Sequence, residues 1–155
     1  MSNLSPTLTP SELVDALRQR SRQVQLPYLL LQYSLAIVYI WFGALKPLGL
    51  SPANELVTLT IPWLEPEFFV PFLGYWEVAI GVAFLTRSLL PHALVLMGLQ
   101  MFGTLLPLVL LPHICFSKFP FVLTLEGQYI IKNLVFISAA IAVAANLRRQ
   151  HTIVA

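Results

Sequence analysis

The chain reads as an all-α integral membrane protein. It should form a four-transmembrane-helix bundle with an N-terminal amphipathic helix and a short interfacial helix in the first outer loop. Three observations predict that class. Four apolar runs of about 18 to 20 residues recur along the 155-residue chain, each matching a hydrocarbon core of roughly 30 Å at 1.5 Å per residue. Only 10% of residues are charged and mean hydropathy is +0.79, whereas soluble domains carry roughly a quarter charged residues. No segment shows the period-two alternation of a membrane barrel.

Residues 1–26 form a cytoplasmic or interfacial arm. Thr9, Pro10 and Glu12 fit a capping box: a hydroxyl at N-cap, proline at N1 and an acid at N3. Leu13, Val14, Leu17 and Val24 then recur at helical spacing opposite Arg18, Arg20 and Arg22, the pattern of a helix lying on an anionic leaflet. The first apolar run starts only after this polar arm and has no small-residue cleavage site behind it, so it reads as a span and not as a signal peptide. The bundle occupies residues 27–147, with spans at 28–45, 68–86, 92–111 and 128–147, and residues 148–155 are a cytoplasmic tail.

Charge placement orients the bundle. Arg18, Arg20, Arg22, Arg87, Arg148 and Arg149 fall on one side, against Lys46, Lys118 and marginally Lys132 on the other. The excess of basic residues puts both termini in the cytoplasm. The connection at 87–91 is a tight turn. The first outer loop, 47–67, holds a helix start at Ser51-Pro52 and an apolar stretch with Trp63 as an interfacial anchor. The second outer loop, 112–127, carries His113, Cys115 and three phenylalanines.

Composition excludes several classes. A net charge of +2 without a basic cluster speaks against nucleic acid as a partner. The single cysteine, Cys115, allows no intrachain disulfide and no CxxC redox pair. The three histidines are scattered and none sits deep in a span, so no metal or haem site is expected. No Ser-His-Asp set or phosphate loop is present, and no catalytic residue is assigned.

Glu77 is the anomaly. A carboxylate near the middle of an apolar span costs at least a few kcal/mol and normally has a partner or a job. By helical rise it lies about 15 Å below Glu67, and Gln100 on the next span reaches nearly the same depth. Thr104 is one turn above Gln100. Gln32, Tyr39 and Lys46 recur every seven residues on one face of the first span. Lys132 enters the fourth span by about one turn and could reach inward or snorkel outward. Lys46, Glu77, Gln100, Thr104, Lys132 and Tyr39 are therefore the candidate pocket or buried polar cluster, in the outer half of the bundle. Either lysine could pair with Glu77. Gly74 and Gly81 share a stripe with Glu77, and Pro71 and Pro107 would favour kinks nearby. Glu77 then has three readings: a structural ion pair, part of a pocket for a polar or quinone-like ligand, or a proton or ion carrier in a small transporter.

SLAIVYIWFGALK in the first span, EVAIGV in the second, QMFGTLLPLV in the third and EGQYIIKN opening the fourth resemble the YkgB/RclC-like proteins, within the broader DoxX-like group. The resemblance covers residues 31–145 and matches Trp41, Gly43, Lys46, Glu77, Gly81, Pro107 and Lys132. It implies a multi-pass protein of the bacterial cytoplasmic (inner) membrane associated with resistance to oxidants. It also implies a link to quinone-linked oxidoreductases, and it carries no catalytic role onto these positions. The expectation is a non-catalytic accessory protein in oxidant or redox physiology, with an outward-facing pocket for a lipid-like or quinone-like ligand. It would require no cofactor, although a quinone would suit the pocket, and its partners would be the lipid bilayer and a homo-oligomer or larger membrane complex. The alternatives are a structural or assembly subunit and a small-solute or proton-coupled transporter. If the chain takes part in an enzyme, the resemblance implies a subunit of a quinone-linked oxidoreductase.

Overall fold

A computed structural model describes residues 9–154; the side chains at 10, 13, 14, 16–18, 20–24 and 150–154 lie outside the described set. The apolar face expected from Leu13, Val14, Leu17 and Val24 falls on those side chains. Helix dominates the described residues. Its elements in order are α1 (Pro10–Leu45), α2 (Asn54–Thr60), α3 (Pro66–Leu85), α4 (Leu90–Leu105), α5 (Pro107–Leu110), α6 (Pro112–Cys115), strands β1 (Phe116–Lys118) and β2 (Val122–Leu123), and α7 (Leu125–Val154). Four helical stretches, Gln25–Leu45, Pro66–Leu85, Leu90–Leu110 and Leu125–Arg149, are long and apolar enough to cross a bilayer.

Helix α1 opens on the capping box. The Glu12 amide donates to the Thr9 hydroxyl at 3.3 Å, and the Thr9 amide donates to the Glu12 carboxylate at 2.7 Å. The arm and the first span, read from sequence as two elements, are one helix of 36 residues. Between Pro10 and Phe42 there is no glycine, and Pro27 is the only internal proline. A single proline removes one intrahelical bond, and good helix formers on both sides carry the helix past it. At its far end Gly49 takes a φ of +70°, the left-handed turn for which glycine carries no side-chain penalty.

The third span is interrupted. Pro107 has no N–H to offer the Gly103 carbonyl, which accepts from the Leu106 amide at 3.1 Å instead, so α4 ends and α5 begins on a new axis of bonds. Beyond α6 the chain forms a two-stranded antiparallel hairpin, pairing Phe116 with Leu123. Strands of three and two residues are too short to leave a periodicity in sequence.

Leu35, Ala36 and Tyr39 of α1, Ile80, Ala83 and Phe84 of α3, and Leu90, Ala93, Met97 and Met101 of α4 make the core, joined by Val143 of α7. The outside is as apolar as the inside: Trp41, Phe42, Tyr75, Leu99, Phe102 and Val135 are all exposed. Contiguous apolar exteriors of this extent belong against lipid or another protein.

Candidate functional site

The site begins with glycines. A Cβ added at Gly74 would lie 2.7 Å from the Gly43 carbonyl and 2.8 Å from Lys46 Cβ, and one at Gly81 would lie 2.6 Å from Ile40 Cγ1. Backbone therefore meets backbone along α1 and α3, which only glycine permits. That approach carries the end of α1 onto the middle of α3, where Lys46 Nζ donates to Glu77 Oε2 at 2.5 Å. The two side chains are 7% and 12% exposed.

A third helix completes the node. Gln100 of α4 donates its Nε2 to the other carboxylate oxygen, Glu77 Oε1, at 2.5 Å. The carboxylate accepts at both oxygens, so the glutamine must turn its NH₂ toward it. Gln100 Oε1 is then left facing away, buried and without a partner among the described residues. Tyr39 lies two turns below Lys46 on the same face of α1, within electrostatic reach of Glu77, and is only 5% exposed. Its hydroxyl also has no partner among the described residues. A buried donor and a buried acceptor, each without a partner among the described residues, thus stand beside a carboxylate that is bonded at both oxygens.

The remaining predicted residues lie elsewhere. The Thr104 hydroxyl donates to the Gln100 carbonyl at 3.1 Å, so it bonds its own helix. Lys132 is exposed on α7, with its ammonium 4.8 Å from the centre of the Tyr129 ring. The choice of lysine that sequence leaves open falls to Lys46, because the glycine seam brings α1 onto α3 while Lys132 points off the bundle surface. Gln32, one heptad below Tyr39, donates its Nε2 to the Phe84 carbonyl at 2.6 Å. That carbonyl lies in the last turn of α3, where helical carbonyls lack intrahelical partners.

Two features escaped sequence reasoning. Thr124 is a junction: its hydroxyl donates to the Ile114 carbonyl at 2.6 Å and accepts from the Gly127 amide at 3.2 Å, tying α6 to the start of α7. The T-x-x-G spacing is the only signal it leaves in sequence. The Tyr129–Lys132 pair could have been found from its i, i+3 spacing on a helix.

Cys115 is fully buried beneath this junction. Burial, and next the Glu126 carboxylate, hold its thiol above the usual value, which keeps it protonated and a poor nucleophile at neutral pH. Among the described residues no three His, Cys, Asp or Glu side chains gather into a metal-binding group. A groove of about 200 Å³ between α4 and α7, lined by Met97, Gly98, Met101, Ile137, Ala140 and Ala144 among others, is apolar and open. It contains none of the residues of the Lys46–Glu77–Gln100 node.

No family model, curated protein or solved structure matches the chain.

Proposed function

We propose that the chain is a multi-pass membrane protein that acts as a non-catalytic accessory or assembly subunit, with the Lys46–Glu77–Gln100 node as the clamp that sets its first three spans. One observation carries this reading: both oxygens of Glu77 are taken by side chains from two other helices. A carboxylate that shuttles protons or captures a substrate needs an accessible face, and this one has spent both on packing. In lipid the apolar surfaces give helices little reason to associate, so glycine contacts and interhelical polar bonds must specify the pairing.

The bacterial inner membrane, cytoplasmic termini and a place in oxidant physiology rest on charge placement and on the resemblance to YkgB/RclC-like proteins. The test of the subunit reading is native mass spectrometry of gently extracted protein, comparing wild type with Glu77→Gln. Stable co-purified subunits whose association weakens in the variant are the expected result. A wild-type chain that is always alone, with unaltered stability in the variant, would overturn it.

A second reading has its own support. The open Tyr39 hydroxyl and Gln100 Oε1 match the acceptor and donor of a single hydroxyl group, as on the head of a lipid-like or quinone-like molecule. Calorimetric titration of wild type and Gln100→Leu with a short-chain quinol tests it: saturable binding confined to wild type is expected, and no binding in either refutes it.

A further inference from the structure

Lys132 takes no part in the node, yet it lies on an apolar surface. Leu125, Tyr129, Lys132 and Val135 follow one another along one stripe of α7, and all four are exposed. Val135, one turn beyond the lysine, is 67% exposed. An ammonium in such a stripe is costly unless it reaches an anion or the interface. Among the described residues its partner is the Tyr129 ring and no carboxylate. A ring face answers part of the charge but accepts none of the three N–H bonds an ammonium can donate.

Position narrows what could complete it. Lys132 lies about 10 Å along α7 from Leu125, and its contact with Tyr129 directs the ammonium back toward that end of the helix. In a bilayer that is the direction of the headgroups, and the apolar stripe beyond Val135 faces the acyl chains. The anion available at that level is the phosphate of a lipid. It would accept from the lysine, and the exposed Tyr129 phenol is a further donor.

We propose that Lys132 and Tyr129 form a binding site for the phosphate group of an anionic phospholipid on the outer end of α7. The proposal rests on the bilayer-spanning reading, so its test separates the two. Full-length wild type, Lys132→Met, Tyr129→Leu and a control, Lys118→Met, are reconstituted with phosphatidylglycerol or phosphatidylcholine vesicles and floated on a density gradient. The floated protein is then extracted and its retained lipids are counted by native mass spectrometry.

Expected is flotation of all four, preferential retention of phosphatidylglycerol by wild type, and about a fivefold loss of that retention in Lys132→Met, the scale of one basic residue at a charged surface. Tyr129→Leu should lose retention in the same direction, and Lys118→Met should keep it. Excess inorganic phosphate should not displace the lipid; displacement would show that the site recognises free phosphate and overturn the lipid assignment. Equal retention by wild type and Lys132→Met overturns the site while leaving the spans intact. Loss of a dimer in Lys132→Met at unchanged lipid count overturns it in favour of a partner carboxylate. Protein that fails to float refutes the bilayer reading itself. Because Lys132 is exposed, its substitution should leave the circular dichroism spectrum unchanged.

Discussion

The α1–α3 seam and the long face of α7 are made from the same apolar alphabet but are held in opposite ways. In its most apolar stretch α3 has 39% of its residues buried, and α7 has 11%. The first seam has glycines that let backbones touch, an ion pair, and a second polar bond at Gln32. The second buries chiefly Gly127, Ile130 and Val143 and is tied at its start by Thr124. Where lipid removes the hydrophobic drive between helices, apolarity cannot choose neighbours; close approach and polar bonds do.

That contrast breaks most visibly at the ion pair. Lys46→Met or Glu77→Leu alone leaves a buried charge unpaired and should cost about 3–5 kcal/mol in denaturant unfolding of the detergent-solubilised protein. The double substitution should recover most of that loss, since a matched apolar pair often replaces a buried ion pair at little cost. A double variant as unstable as the singles would show that the pair does more than compensate itself.

Next comes the glycine seam. Gly74→Ala forces the two backbones apart and should cost about 1–3 kcal/mol. Gly98→Ala, in open space, should be neutral or stabilise by up to about 1 kcal/mol through helix propensity. Thermal melts of the two proteins side by side measure the difference. Tyr39→Phe sharpens the comparison further, because its hydroxyl has no partner among the described residues. With the hydroxyl unbonded the change should be neutral or slightly stabilising; a loss of about 1 kcal/mol would mean that a water or ligand occupies the position. On α7, Val135→Ala should change stability by less than about 0.5 kcal/mol, since the side chain is exposed.

The smallest effect is expected at the start of α1. Bonds from the Thr9 hydroxyl and amide hold the Glu12 carboxyl below its ordinary value of 4.5. A group lowered in the folded state stabilises fully above that ordinary value, and the contribution fades as pH falls through the lowered one. The protection of the first-turn amides of α1, measured relative to their intrinsic exchange rate, should therefore fall as pH drops through that lowered value, and Glu12→Gln should remove most of that pH dependence.

Much of the frame was legible because it depends on local quantities. The capping box needs only Thr9, Pro10 and Glu12 in order. The depth match between Glu77 and Gln100 needs only the rise per residue, and the structure puts the two in direct contact. The arm and the first span join in one helix because the backbone between Pro10 and Phe42 contains nothing that stops a helix except one proline, although the charge change there resembles a boundary. The hairpin was invisible because its few bonds are made between residues whose pairing no period announces.

Hydropathy and spacing alone determined four helices long and apolar enough to cross a bilayer, the level of Glu77 along its helix and the shortlist of its partners. Only the tertiary structure decided that Lys46 pairs with it, that Gln100 takes the second oxygen, and that Lys132 faces outward to Tyr129. The physical reason is that depth follows from counting residues along one helix. Partner choice follows from which helices lie side by side and how each is rotated, and here the contacts at Gly43, Gly74 and Gly81 set both for α1 and α3.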